Sequence, residues 1–204
     1  AGHRGQTNVG CDGQPDRAVS ELRVCALERA PVRTSSGFSI ETPYDLDDLR
    51  GADVVFVPSW SDVAEAPPQR LVDALVERHA AGAIIVGLCL GAFVVAAAGL
   101  LEGRRATTHW AFGDEFRRKF PNVTLDENVL YVDEGQVVTS AGVASGLDCC
   151  LHLARRLFGP RATKALAQNL VLSPIRTGGQ AQFVERTFGD VEVEMRLQAA
   201  LEHI

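Results

Sequence analysis

The chain has 204 residues, 46% hydrophobic and 23% charged, enough for one sizeable core with a short appendage. Its net charge of -6 excludes an overall basic footprint for nucleic acid, so any contact with DNA needs another segment. The five cysteines, Cys11, Cys25, Cys89, Cys149 and Cys150, are odd in number and lack CxxC spacing. This argues against a disulfide framework or a metal site and suits a reducing, cytoplasmic setting, as does the lack of an apolar leader pattern.

Residues 1–20 are rich in Gly and polar residues and read as an irregular arm. Residues 22–27 read as a strand, 37–42 as a short β piece, and 52–57 as a buried strand ending at Pro58. A helix over 66–81 carries Pro67 and Pro68 in its first turn and Leu71, Leu75 and Val76 at helical spacing. Residues 83–87 are strand-like, residues 92–101 form a small-residue helix, and 105–109 form a further strand. Phe112, Phe116 and Phe120 give a helix over 110–120 with an aromatic stripe that belongs to a core. Residues 129–132 and 136–140 pair across the turn at Asp133, Glu134 and Gly135. A helix over 143–158, with Leu147, Leu151 and Ala154 as its apolar stripe, stops at Gly159 and Pro160, and another spans 160–170. Residues 186–204 read as a linker entering an amphipathic helix at Leu197, Ala200 and Leu201. Alternating strands and helices imply an α/β fold on a mainly parallel sheet.

Gly87-Leu88-Cys89-Leu90-Gly91 is the most informative stretch. A β-branched run (Ile84, Ile85, Val86) passes through GxCxG into a helix, the cysteine counterpart of the strand-turn-helix nucleophile elbow. The glycines permit the tight turn, and a thiol at a helix N-terminus is favoured as thiolate. Two plainer readings compete. Residues 83–101 run without a charge and contain a GxxxG, as a membrane helix would, yet the run divides at Cys89 into a β-branched and an Ala-rich half. Cys89 could also be a small core filler. Cys149 and Cys150 read as core filling, His152 beside Arg155 and Arg156 as a solvated edge, Asp47 and Asp48 as turn caps, and Arg117, Arg118 and Lys119 as the wet face of a helix.

Several separated motifs resemble one family. The segments Gly87-Leu88-Cys89-Leu90-Gly91-Ala92-Phe93, Ala98 through Trp110 with its Ala106-Thr107-Thr108-His109-Trp110, and Thr139-Ser140-Ala141-Gly142 resemble the ThiJ/PfpI superfamily, which is glutamine-amidotransferase-like. Gly178-Gly179-Gln180-Ala181-Gln182-Phe183 resembles the end of the sensor domain of AraC-type transcriptional regulators. The resemblance covers residues 21–185. It implies a flavodoxin-like three-layer sandwich with a mainly parallel central sheet and a cysteine nucleophile elbow, a homodimer, and a C-terminal helix-turn-helix region that residues 186–204 only begin.

The resemblance also implies that Cys89 and His109 face one pocket. A small metabolite over the turn would be contacted by Ser59, Trp60, Cys89, Leu90, His109 and Trp110, with no cofactor, no metal and no membrane. Three departures bear on mechanism. The acidic residue that many members carry on a first central strand has no counterpart, because no apolar strand precedes Leu22; that gap would leave unpaired backbone beside the elbow strand. Pro58-Ser59-Trp60 stands where Pro-Gly is common, and Leu90 follows the cysteine where the isonitrile hydratases carry a hydroxyl. An isobutyl group cannot donate to substrate or water, which tilts the reading toward sensing. The alternative is a cysteine-dependent hydratase or hydrolase with Cys89 as nucleophile and His109 as proton shuttle. A weaker third is reversible oxidation of Cys89.

Overall fold

A computed structural model describes residues 21–27, 30–34, 36–142 and 144–173. The expected N-terminal arm, the 178–183 motif and the 186–204 segment lie outside these residues.

Residues 22–27 do not form the expected strand. They make one parallel bridge, Cys25 to Tyr44, reinforced by a 3.1 Å bond from the Ala26 N–H to the Tyr44 carbonyl. Leu22 remains 82% exposed. A strand needs a lateral partner along its length, and β-propensity alone does not hold the segment flat. Next come an antiparallel hairpin, β1 (Val32–Arg33) with β2 (Ser39–Ile40), and one 3-10 turn over Leu46–Leu49. Asp45 caps that turn in a reciprocal box with Asp48, so one of the two expected cap residues performs the task.

The central sheet has the order β3 (Val54–Val57), β4 (Ile84–Leu88), β8 (Val137–Ser140), β7 (Tyr131–Asp133). The first three strands run parallel, and β7 joins β8 antiparallel through the expected turn. The charge-free stretch 83–101 is therefore a strand followed by a short helix, α2 (Gly91–Ala97), and no helix among the described residues is long and apolar enough to cross a membrane. α2 stops at Ala97, short of the expected 101, because Gly99 takes φ 73°.

Successive sheet residues alternate between two cores. Val55, Val57, Ile85 and Val137 face one side with Leu71 and Leu75 of α1 (Gln69–Ala80) and Phe93, Val94 and Val95 of α2. Val76 of α1, expected on the same stripe, is exposed instead. Ile84, Val86 and Val138 face the other side with Cys149 and Leu153 of α4 (Ala144–Asn169). Helices thus cover both faces of a mainly parallel sheet, a three-layer arrangement. α4 contains a break at Gly159, φ 82°, just before Pro160, so the two expected helices meet where the Gly-Pro pair places the joint. Cys149 and Leu153 of α4 face the sheet; Leu151 of the expected stripe is buried, whereas Leu147 of the same stripe is exposed.

The segment between α2 and β7 holds β5 (Arg105–Ala106), parallel to β6 (Thr124–Leu125), then a 3-10 turn over Trp110–Phe112 and α3 (Gly113–Lys119). The expected strand 105–109 is ladder-paired only in its first two residues. Phe116 is fully buried and meets Phe93 edge-on at 5.0 Å, so the aromatic stripe is core. Arg117 pairs with Asp114 and Glu127, and Arg118 with Glu115, which satisfies the basic run on the outer face.

One expected cost falls elsewhere. The cysteine strand β4 is paired on both sides, by β3 and β8; among the described residues the sheet's edge strands, each with one partner, are β7 and β3, the latter next to β4 with Phe56 42% exposed.

Candidate functional site

Parallel β3, β4 and β8 end at one edge of the sheet, so the residues leaving them converge there. Ligands of open α/β sheets sit outside such carboxyl ends. Ser59 follows β3, Cys89 follows β4, and Ala141 and Gly142 follow β8.

Cys89 takes φ 52°, a left-handed conformation that costs a non-glycine residue about 1–2 kcal/mol. Its backbone is tied on both sides. The N–H donates to the Ser140 carbonyl at 3.0 Å, and the carbonyl accepts from the Ala92 N–H at 3.3 Å and from Thr108 Oγ1 at 2.9 Å. Both flanking glycines are required by close approach. A Cβ on Gly91 would lie 2.0 Å from the Val57 carbonyl oxygen, and one on Gly87 would lie 2.9 Å from the Ala92 nitrogen. The thiol is half-buried at the start of α2 and forms no disulfide.

His109 leaves the β5 segment at the same edge. Its ring lies against Gly142, where a Cβ would meet Cδ2 at 2.5 Å and Nε2 at 3.1 Å. The Ala111 N–H donates to Nδ1 at 3.2 Å, so the neutral tautomer carries its proton on Nε2, and the ring stacks on Trp110, centroids 5.6 Å apart. Trp60 packs against the α1/α2 core and donates its indole N–H to the Glu65 carbonyl at 3.2 Å, so it offers a wall rather than a donor. Ser59 is exposed, and Leu90 and Trp110 are half-buried.

Sequence reasoning missed the threonines and the hairpin cluster. Thr107 and Thr108, read as ordinary strand residues, are fully buried; the Thr107 N–H donates to Thr139 Oγ1 at 2.9 Å. His152, read as a solvated edge, donates Nε2 to Asp133 at 2.6 Å beside Arg156, which reaches both carboxylate oxygens at 2.8 and 2.9 Å. Burial disfavours the charged Asp133, but these bonds and the Gly135 N–H outweigh it and hold the carboxyl below the ordinary carboxylate range. Burial pushes the Cys149 thiol up to about 12 and raises Cys150 as well, consistent with core filling. A shallow depression of about 160 Å³ lies away from this edge, between the Leu46–Leu49 turn and α1.

The profile of the DJ-1/PfpI family matches residues 16–156. The chain belongs to the DJ-1/PfpI family. Among its curated relatives, the HTH-type transcriptional regulator CdhR of Pseudomonas aeruginosa is 32% identical over 153 residues, 75% of this chain and 45% of CdhR. Isonitrile hydratase of Pseudomonas putida is 30% identical over 145 residues, 71% of this chain and 62% of the hydratase. The chain thus spans less than half the length of CdhR and about three-fifths of the hydratase. Further HTH-type regulators, ArgR and GbdR of P. aeruginosa, are also similar. In fold, the DJ-1/PfpI chain is similar to an AraC family transcriptional regulator from P. putida, with TM-score 0.65, 19% identity, and coverage of 76% of this chain and 83% of that one. A ThiJ/PfpI family protein from Pseudomonas syringae gives TM-score 0.67 and 22% identity over 89% of this chain and 72% of that one.

Proposed function

We propose that residues 21–185 are the ligand-sensing and dimerising domain of an AraC-type transcriptional regulator, acting in the cytoplasm. A small metabolite would sit over the turn at Cys89. The observation that carries this reading is the convergence of Ser59, Cys89 and His109 at one sheet edge, with Cys89 held at φ 52°. The similarity to several HTH-type regulators supports the regulatory half of it.

Each group has a part in such a site. Trp60 and Trp110 supply apolar walls, His109 presents Nε2–H as a donor, and Ser59 brings a hydroxyl. The half-buried Cys89 thiol and Leu90 form the floor. Residues 186–204 would begin the connection to DNA-reading helices, and DNA contact would reside in helix-turn-helix segments outside this chain. Ligand binding then changes regulation only by favouring one of two arrangements of the sensor.

The test is a thermal-shift screen of the full chain against small metabolites. A compound that raises Tm for the wild type and not for His109→Ala or Trp110→Ala supports the site; stabilisation that survives both changes overturns it. The second reading, a cysteine-dependent hydratase or hydrolase, is favoured by the elbow-like geometry at Cys89 and by similarity to isonitrile hydratase. It predicts conversion of an alkyl isonitrile to the N-substituted formamide, lost in Cys89→Ser. Leu90, which offers no hydroxyl beside the thiol, weighs against it.

A further inference from the structure

Cys89 sits in a backbone conformation that its side chain disfavours, and something must hold it there. The Ser140 carbonyl anchors the nitrogen side of the residue from β8. On the carbonyl side, the Ala92 N–H is the first turn of α2 closing on itself, at a long 3.3 Å. The shorter bond, 2.9 Å, comes from Thr108, a fully buried side chain 19 residues away on the segment that carries His109. Adjacent residues of an extended segment project oppositely, so Thr108 reaches the cysteine turn while His109 turns to Gly142. The Thr107 N–H fastens the same segment to Thr139 of β8.

We infer that Thr108 is a positioning residue for the cysteine: its hydroxyl locks the Cys89 carbonyl in the left-handed turn and ties the attitude of the thiol to the His109 segment. This rests on the reading of the sheet edge as the binding site and deepens it. Displacement of His109 by a bound molecule would pull on Thr108, and through it on the peptide of Cys89. The hydroxyl is required, not the bulk. Valine has the same shape and no donor, whereas serine keeps the donor and loses a methyl.

The experiment is alkylation of Cys89 by iodoacetamide across the neutral to alkaline range. Labelling is quantified on the Cys89 peptide in the wild type, Thr108→Val, Thr108→Ala and Thr108→Ser. With the hydroxyl removed, the rate at neutral pH falls about fivefold, the scale of one net hydrogen bond, and the midpoint of the pH profile rises. Thr108→Ser restores both, and Cys150 labelling stays constant throughout. Thr108→Ala gives the same reading as Thr108→Val should the valine variant not fold. An unchanged or faster rate with an unchanged midpoint in either variant overturns the inference, even if Tm falls, because that is a purely structural effect. A serine variant that behaves like valine overturns it also. No ligand enters this assay, so its failure is separate from a failure of the metabolite screen.

Discussion

Gly91→Ala is the sharpest perturbation of the turn. The added Cβ would stand 2.0 Å from the Val57 carbonyl oxygen, and real Cβ atoms essentially never approach closer than 3.0 Å. The first turn of α2 must therefore retreat from β3 by about 1 Å, and the carbonyl cannot swing aside because it belongs to a sheet strand. Overpacking of this kind costs roughly 1–3 kcal/mol, more where the clash is with backbone, while the gain in helix propensity is at most about 1 kcal/mol. A net loss of about 2 kcal/mol, the upper end of that cost less the propensity gain, corresponds to a Tm drop of roughly 4–8 °C for a chain of this size. Gly146→Ala is the control. Its Cβ would meet only Leu88 Cδ1, at 3.8 Å, so the change keeps the propensity gain and raises Tm by about 1–3 °C. Calorimetry or circular-dichroism melting reads both. Equal Tm values for the two variants would refute the argument that α2 must touch β3 at Gly91.

Phe116→Ala removes a fully buried ring and its edge contact with Phe93, and chemical denaturation should show a loss of about 3–5 kcal/mol. Asp133 has a depressed carboxyl pKa, so its contribution is present above the ordinary carboxylate range and is lost as pH falls through the depressed value. Asp133→Asn should therefore lower Tm near neutrality and flatten its acid decline; an unchanged acid limb counts against the His152–Asp133–Arg156 cluster. Cys149, fully buried with its thiol pushed up to about 12, stays unlabelled by iodoacetamide in the native protein at mildly alkaline pH and reacts after denaturation, as peptide mass spectrometry will register.

What was legible in the sequence was local. The β-branched run and the paired glycines announce a strand, a turn and a helix within a dozen residues, and close approach at Gly87 and Gly91 is the reason those glycines are there. Gly159-Pro160 and the turn at Asp133 to Gly135 were equally readable, because each breaks or reverses the chain through its own backbone. Distant partners were not. Thr108 finds Cys89 across 19 residues, and His152 finds Asp133 across the same separation; neither pairing leaves a periodic trace. Residues 22–27 failed as a strand for the complementary reason: their composition is right, but a strand exists only against a neighbour. Helical spacing also points Leu147 of α4 inward with Leu151; Leu151 is buried, but the sheet packs on the Cys149 and Leu153 face and leaves Leu147 exposed.

Ligand protection of Cys89 tests the central claim most directly. The wild-type chain is labelled with iodoacetamide in the presence of each metabolite that raises its Tm, and the Cys89, Cys25 and Cys150 peptides are quantified together. A metabolite bound over the sheet edge slows labelling of Cys89 and leaves Cys25 and Cys150 unchanged. A stabilising compound that leaves Cys89 labelling untouched binds elsewhere, and the sheet edge is then not the sensor site.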